Sequence, residues 1–184
     1  MAITTINNRA INRADTAASG ESWTATSATA SDFQAAVNTP YFYGELASDQ
    51  TLTRATFTKI TGMTTDELDS NTAFDGTTFT VPSGQGGKYY LEAVLAANYG
   101  SIGQDGEQTI SALYKNGSEI KSAKLQQTTS GGANMNSLTV TVSGLFSLSV
   151  GDTIELYGYI QDSSGGNGLA DDARTSIAGY KIIE

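Results

Sequence analysis

The stretch from residue 138 to residue 160 reads LTVTVSGLFSLSVGDTIELYGYI. At its start, apolar residues occupy every second position from Leu138 to Val142, so they share one face of an extended chain. Val150-Gly151-Asp152 then supplies a turn, and residues 153–160 continue as an extended partner. The pattern predicts two antiparallel strands joined by a hairpin, which is a basic unit of an all-β fold.

A second hairpin and a long strand precede this stretch. Residues 107–115 and 118–123 are two strand-like runs, and Asn116-Gly117 between them is the strongest short hairpin signal. Lys88–Asn98 is a longer candidate strand in which one of the two faces is entirely apolar. The predicted core side of that strand consists of Tyr89, Leu91, Ala93, Leu95 and Ala97.

The remaining segments predict shorter strands separated by turns. In residues 51–60, apolar and polar residues alternate at period two, with a break near Ala55. No helical pattern lies between any of the later strands. Such an order indicates an antiparallel sandwich or barrel and excludes a βαβ arrangement. The other expected strands are 41–46, 78–81 and 176–183, and the expected loops are 61–73 and 162–172.

Five motifs in chain order resemble those of C1q/TNF-like jelly-roll domains, over about residues 74–183. Leu113-Tyr114-Lys115-Asn116-Gly117 is similar to the hairpin L-x-K-N-G, and Leu145–Ile154 to L-x-L-x-x-G-D-x-V. The resemblance implies a two-sheet jelly roll that forms a tight homotrimer. The collagen stalk of Gly-X-Y triplets is missing here. The other three motifs are Phe74–Pro82, Gly86–Leu91 and Ile177–Tyr180, the last with Ile177 in place of Phe.

Residues 1–40 predict a separate arm that precedes a domain at 41–184. The arm is rich in Ala, Thr, Ser and Asn, and its isolated large apolar residues cannot close a core. Ser31–Val37 predicts a short helix with Ser31 as its N-cap. The arm loosely resembles the N-termini of tailed-bacteriophage virion proteins. Its candidate partner-docking residues are Ile6, Arg9, Ile11, Arg13 and Trp23, and Trp23 is either an anchor in a partner or a plug on the chain's own domain.

Composition excludes several functional classes. The 184 residues carry a net charge of −9, so nucleic acid is not an expected partner of the body of the protein. The chain contains no Cys and no His, which removes thiolate chemistry and the usual imidazole base. No stretch is apolar enough for a membrane span, and the N-terminus lacks the apolar region of a signal peptide. We therefore expect a protein that is not an enzyme.

Tyrosines are numerous in the predicted sandwich. Tyr offers a large contact area together with a hydroxyl that needs a partner, which suits both a core and the axis of a trimer. A groove that stacks sugars is the rival interpretation. The candidate core and trimer aromatics are Tyr89, Tyr90, Tyr114, Tyr157, Tyr159 and Tyr180.

Clustered carboxylates fall in predicted loops. At Asp66, Glu67 and Asp69 they are expected to be a solvated surface rather than a glycosidase pair, which needs rigid positions on either side of a substrate. The Gly-rich loop at 162–172 offers hard oxygen ligands for Ca²⁺ without EF-hand spacing. No cofactor is otherwise expected, and the candidate Ca²⁺ ligands are Asp162, Asn167, Asp171 and Asp172.

The sequence leads to one functional hypothesis and one alternative. The hypothesis is a trimeric decoration, cement or knob protein of a phage virion, assembled in the host cytoplasm. Its arm would dock on the major capsid protein or another virion protein. The alternative is a receptor-binding tail-fibre tip or carbohydrate-binding module that uses the loops near 100–106 and 126–136.

Overall fold

The computed structural model describes residues 21–25, 31–35, 39–64, 68–99, 106–127, 136–162, 165–172 and 174–182. The chain divides into two compact units, Met1–Val37 with Ile183, and Asn38–Ile182 with Glu184. Every regular element in the described ranges is a strand. The strands are β1 (Glu21–Ala25), β2 (Ser31–Ala35), β3 (Tyr41–Leu46), β4 (Gln50–Leu52), β5 (Thr58–Lys59), β6 (Met63–Thr64), β7 (Thr78–Thr80), β8 (Gly87–Asn98), β9 (Gly106–Lys115), β10 (Ser118–Gln126), β11 (Ser137–Leu148), β12 (Thr153–Asp162), β13 (Gly168–Ala170) and β14 (Ser176–Lys181).

The first unit contains a two-stranded antiparallel sheet of β1 and β2. The register places Trp23 opposite Phe33. The helix predicted over Ser31–Val37 is therefore wrong, because Ser31–Ala35 is extended and pairs with β1. A segment this short gains little from an isolated helix, and the hydrogen bonds to a neighbouring strand decide its conformation.

The second unit is a sandwich of two antiparallel sheets. One sheet has seven strands in the order β4-β13-β8-β14-β3-β6, with β11 on the other edge of β8. The other has five strands in the order β10-β9-β12-β5, with β7 also paired to β12. The predicted all-β, antiparallel, two-sheet fold is confirmed.

The core lies between the two sheets and follows from the alternation of each strand. Along β8, Tyr89, Leu91, Ala93, Leu95 and Ala97 are buried, which confirms the predicted core side. In β12 every second residue is buried in the same way. Aromatic rings fill the space where the sheets meet, with Phe79 stacked on Phe42 at a centroid distance of 4.2 Å and tilted against Tyr89 at 5.9 Å.

Two turns close the predicted hairpins, and Asp152 joins them. Asn116 and Gly117 both have positive φ angles, 51° and 77°, as a two-residue hairpin turn requires. The Asn116 Nδ2 group donates to Asp152 Oδ1 at 2.7 Å, and the Ser149 amide donates to Asp152 Oδ2 at 2.8 Å. Lys115 Nζ lies 2.7 Å from the same carboxylate. Its hydrogen bond, followed by those of Ser149 and Asn116, lowers the pKa of Asp152 to about 2.

Three predicted segments differ in detail. Residues 51–60 divide into β4 and β5, and the break near Ala55 is confirmed by its φ of 55°. Short strands occur within both expected loops, with β6 inside 61–73 and β13 inside 162–172. Strands of two or three residues carry no detectable alternation, so their hydrogen bonds define them, those of β6 to β3 and those of β13 to β4 and β8.

Candidate functional site

The outer face of the seven-stranded sheet carries a row of large side chains. The register pairs Tyr180 of β14 with Tyr41 of β3 on one side and with Tyr90 of β8 on the other. Tyr90 in turn lies opposite Leu145 of β11. Four neighbouring strands therefore place these residues side by side, and we call this row, together with Tyr43, the tyrosine face.

The tyrosine face is unusually exposed for residues of this size. The exposed fraction is 40% for Tyr41, 41% for Tyr180, 38% for Tyr43 and 67% for Leu145. Tyr90, the remaining member of the row, is half-buried, and its ring centroid lies 5.5 Å from that of Tyr180. Contiguous apolar surface of this kind marks an interaction site more often than an isolated exposed residue does.

Carboxylates line one border of the tyrosine face. The Tyr90 hydroxyl donates to Glu92 Oε2 and the Tyr43 hydroxyl donates to Glu45 Oε2, both at 2.8 Å. Partial burial, together with Glu45, raises the pKa of Tyr43. Both hydroxyls therefore have a carboxylate acceptor within the face, and the rings can be buried without leaving these donors unsatisfied.

A second aromatic cluster lies on the outer face of the five-stranded sheet. Tyr157 and Tyr159 of β12 are two residues apart and so point to the same side. The ring centroid of Tyr114 lies 4.0 Å from that of Tyr157, and Phe57 lies 5.2 Å from Tyr159 and 6.1 Å from Tyr114. All four residues are half-buried. We call them the ring platform.

The structure thus divides the six predicted tyrosines among three places. Tyr89 is fully buried in the core, and burial raises its pKa to about 12 while its hydroxyl donates to the Gln85 carbonyl at 2.6 Å. Tyr90 and Tyr180 belong to the tyrosine face. Tyr114, Tyr157 and Tyr159 belong to the ring platform. The members that sequence reasoning missed are Tyr41, Tyr43 and Phe57, although the spacing Tyr41-x-Tyr43 in a predicted strand was a usable signal.

The predicted Ca²⁺ ligands separate into two groups. Asp162 is fully buried, and its Oδ1 atom lies 3.0 Å from Arg54 Nε, while the Asn167 Oδ1 atom accepts from the Arg54 amide at 3.0 Å. Asp171 and Asp172 instead lie with Asp49, with one carboxylate oxygen of each within 4.8 Å of the others.

In the second group, the carboxylates of Asp171 and Asp49 already accept hydrogen bonds from neighbouring residues. Arg174 Nη1 donates to Asp171 Oδ2 at 2.9 Å, and the Asp172 amide donates to Asp49 Oδ1 at 2.9 Å. Of the other predicted carboxylate cluster, Asp69 accepts from the amides of Ala73 and Phe74 at 2.9 and 3.0 Å. Asp66 and Glu67 lie outside the described residues. Ca²⁺ binding by the predicted ligands stays a prediction.

The predicted docking arm lies almost entirely outside the described residues. This holds for Ile6, Arg9, Ile11 and Arg13, and Trp23 is the described member, in β1. The loops near 100–106 and 126–136 are likewise largely outside the described part of the chain. No helix with the length and hydrophobicity of a bilayer crossing occurs among the residues that the structure describes.

Comparisons with known proteins identify the fold. No protein-family model and no curated protein sequence matches the chain. Among solved structures, it is similar to Eiger TNF from S. frugiperda, at 10% identity over 78% of this chain and 91% of that one, with a TM-score of 0.58. Murine APRIL at pH 5.0 matches at 10% identity over 77% and 98%, with a TM-score of 0.55.

The globular domain of zebrafish complement 1qA protein is also similar, at 14% identity over 79% of this chain and 98% of that one, with a TM-score of 0.52. Identities this low establish the fold alone. The sandwich therefore has the C1q/TNF-like jelly-roll fold that the ordered motifs predicted.

Proposed function

We propose that this chain is a non-enzymatic structural protein that assembles as a homotrimer through its tyrosine face. The observation that carries the proposal is the row of Tyr41, Tyr180, Tyr90 and Leu145 across four strands. Three of these side chains keep 40% or more of their surface exposed in the single chain. Burial of such a row against another subunit removes a large apolar area from water.

The fold supports three copies rather than two. Domains of the C1q/TNF-like fold are typically homotrimers. In a ring of three, each subunit presents the same face to a different surface of its neighbour, so the contact closes after one turn. The seven-stranded sheet ends at β11, and the exposed Leu145 on that edge strand allows the face to continue onto a neighbour.

We further propose that the trimer decorates or cements a phage virion, to which the arm of residues 1–40 anchors it. The support lies in the sequence. Residues 1–14 contain Arg9 and Arg13 and no acid, whereas the rest of the chain holds all 19 carboxylates. A cationic arm with Ile6, Ile11 and Trp23 can bind an acidic and partly apolar surface on the major capsid protein or another virion protein. Three arms on one trimer would add avidity.

Two measurements test the two parts separately. Sedimentation velocity of the purified chain should give about 58 kDa, which is three times the 19.2 kDa of one chain; a monomer at all concentrations would contradict the trimer. For the anchoring role, the double variant Arg9→Glu/Arg13→Glu should remain a trimer but lose binding to purified capsids. Lys121→Glu/Lys124→Glu, on exposed positions of β10, is the matched control. Equal capsid binding by both variants would disprove the docking arm.

A further inference from the structure

The ring platform groups four aromatic rings on one outer face, with Tyr114 and Tyr157 stacked and Phe57 tilted against Tyr114 and Tyr159. It takes no part in the proposed trimer contact. Its four rings come from three neighbouring segments, with Tyr157 and Tyr159 on β12, Tyr114 on β9 and Phe57 just before β5. Successive ring centroids lie 4.0, 6.1 and 5.2 Å apart, from Tyr157 through Tyr114 and Phe57 to Tyr159. The rings are therefore neighbours on one face of a rigid sheet, where a ligand can contact several at once.

Hydrogen-bonding groups accompany the rings. Among the described residues, the hydroxyls of Tyr114 and Tyr157 have no hydrogen-bond partner. The Tyr159 hydroxyl donates to Gln161 Oε1 at 3.3 Å, and Gln161 Nε2 donates to Glu107 Oε2 at 3.4 Å. Both of these contacts are long, so a competing ligand hydroxyl can replace them at little cost. A few polar groups beside an apolar surface are what orient a small ligand.

A polar cleft lies beside β7, a strand that pairs with β12. It has a volume of about 280 Å³ and is lined mainly by polar side chains, among them Asn71, Thr78 and Thr80. The Thr78 hydroxyl accepts from Lys59 Nζ at 3.0 Å, and Lys59 lies opposite Tyr157 in the sheet. A ligand that stacks on Tyr157 can therefore extend toward further hydroxyl and amide groups.

Charge around the platform selects against anions. Glu119 and Glu155 both lie opposite Tyr114, and partial burial together with Glu119 raises the pKa of that tyrosine. Lys59 is already paired with Glu155 at 2.6 Å, and Lys124, exposed on the edge strand β10, donates to Gln126 Oε1 at 3.0 Å. With a net charge of −9 on the chain, phosphate-bearing and acidic ligands are disfavoured.

We propose that the ring platform binds a neutral or amino-substituted pyranose saccharide. One face of such a sugar consists of C–H groups with slight positive charge, which stack on the negative face of an aromatic ring. Its hydroxyls can bond to the free hydroxyls of Tyr114 and Tyr157 and to Gln161. The proposal does not depend on the trimer, because the ring platform and the tyrosine face lie on different sheets.

An array of immobilised oligosaccharides, grouped as neutral, amino-substituted and acidic, tests the proposal on the full chain. The wild type should bind members of the first two groups in preference to the acidic one. Tyr157→Leu keeps an apolar side chain but removes the ring and should lower affinity about tenfold, which corresponds to 1.4 kcal/mol. Tyr157→Phe keeps the ring and should retain most of the affinity. Tyr159→Leu provides a second variant at the other end of the row.

Several outcomes would overturn the proposal. They are no binding to any neutral or amino-substituted glycan, a preference for acidic glycans, or binding that neither leucine variant weakens. A change in oligomeric mass caused by Tyr157→Leu would identify the platform as a subunit contact instead and would also overturn it. If Tyr157→Leu does not fold, as judged by circular dichroism, Tyr159→Leu and the wild-type array still decide the question.

Discussion

The exposed ring of Tyr180 provides the most direct test of the proposed trimer contact. Tyr180 lies in the middle of the tyrosine face, between Tyr41 and Tyr90 in the sheet register. Replacing it by Glu places a carboxylate at the centre of the proposed interface. Tyr180 exposes 41% of its surface in the single chain, so the substitution should disturb the folded sandwich much less than it disturbs assembly.

The magnitude follows from the exposed area. A Tyr side chain presents on the order of 200 Å², so the exposed 41% amounts to about 80 Å² per chain. At about 25 cal/mol per Å², complete burial of this area contributes about 2 kcal/mol per subunit. Three subunits lose about 6 kcal/mol together, which lowers the association constant of the trimer by about four orders of magnitude. The desolvation of a carboxylate adds to this loss.

Sedimentation velocity over a dilution series would measure the effect. We expect Tyr180→Glu to dissociate to a 19.2 kDa chain at concentrations where the wild type remains a trimer. Val150→Glu introduces the same charge at a residue that is 54% exposed in the turn between β11 and β12, and it serves as the matched control. Circular dichroism should show the same strand content for both variants.

Two results would contradict the proposed subunit contact at the tyrosine face. One is a Tyr180→Glu protein that keeps the wild-type mass across the dilution series, since a buried carboxylate is incompatible with an unchanged interface. The other is dissociation of Val150→Glu to the same extent, which would attribute the effect to added negative charge on a chain that already carries −9.

Two further predictions concern the stability of the sandwich. Phe79→Ala removes a fully buried ring whose centroid lies 4.2 Å from that of Phe42. It should lower the free energy of unfolding, measured in urea, by about 3–5 kcal/mol, whereas the control Val150→Ala should change it by less than about 0.5 kcal/mol. Similar losses for both variants would contradict the position of the core. Because the folded-state pKa of Asp152 is lowered to about 2, its contribution to stability is present above its ordinary pKa of 3.8 and is lost as the pH falls through 2. Asp152→Asn should therefore destabilise the fold at pH 7 and much less near pH 2, and a loss independent of pH would contradict the proposed charge effect.

Local patterns were sufficient for the long strands and their turns. The alternation along Lys88–Asn98 predicted the buried face of β8 because the side-chain period of a strand is fixed by backbone geometry. Asn116-Gly117 predicted a hairpin because few residues adopt two successive positive φ angles. Both features depend on a few consecutive residues, so the rest of the fold does not alter them.

The conformation of the short strands and of β2 in the first unit could not be predicted, because it depends on pairing with other segments of the chain. Nothing in Ser31–Ala35 distinguishes a strand from a helix until β1 pairs with it. The same is true of β6 and β13, which have two and three residues and are extended because β6 pairs with β3 and β13 lies between β4 and β8. A segment of this length has too few residues for its own period to identify it.

The tyrosines were recognisable in the sequence as functional candidates, but their grouping was not. Tyr90 and Tyr89 are adjacent in the chain, yet one faces outward and the other is buried because neighbouring strand residues point to opposite sides. Tyr157 and Tyr180 both face outward, but on different sheets. A single list of aromatics therefore separates into a core residue, a proposed subunit contact and a proposed saccharide platform.

The pattern of residues along the chain is enough to predict the all-β class, the long strands, their turns and the inward side of the central strand. The row formed by Tyr41, Tyr180, Tyr90 and Leu145 is visible only once the strands are paired in the sheet. The physical reason is that each strand's alternation fixes two faces, whereas neighbours across a sheet are fixed by hydrogen-bonded register between segments far apart in the chain. That register is a property of the whole sandwich, and the candidate sites follow from it.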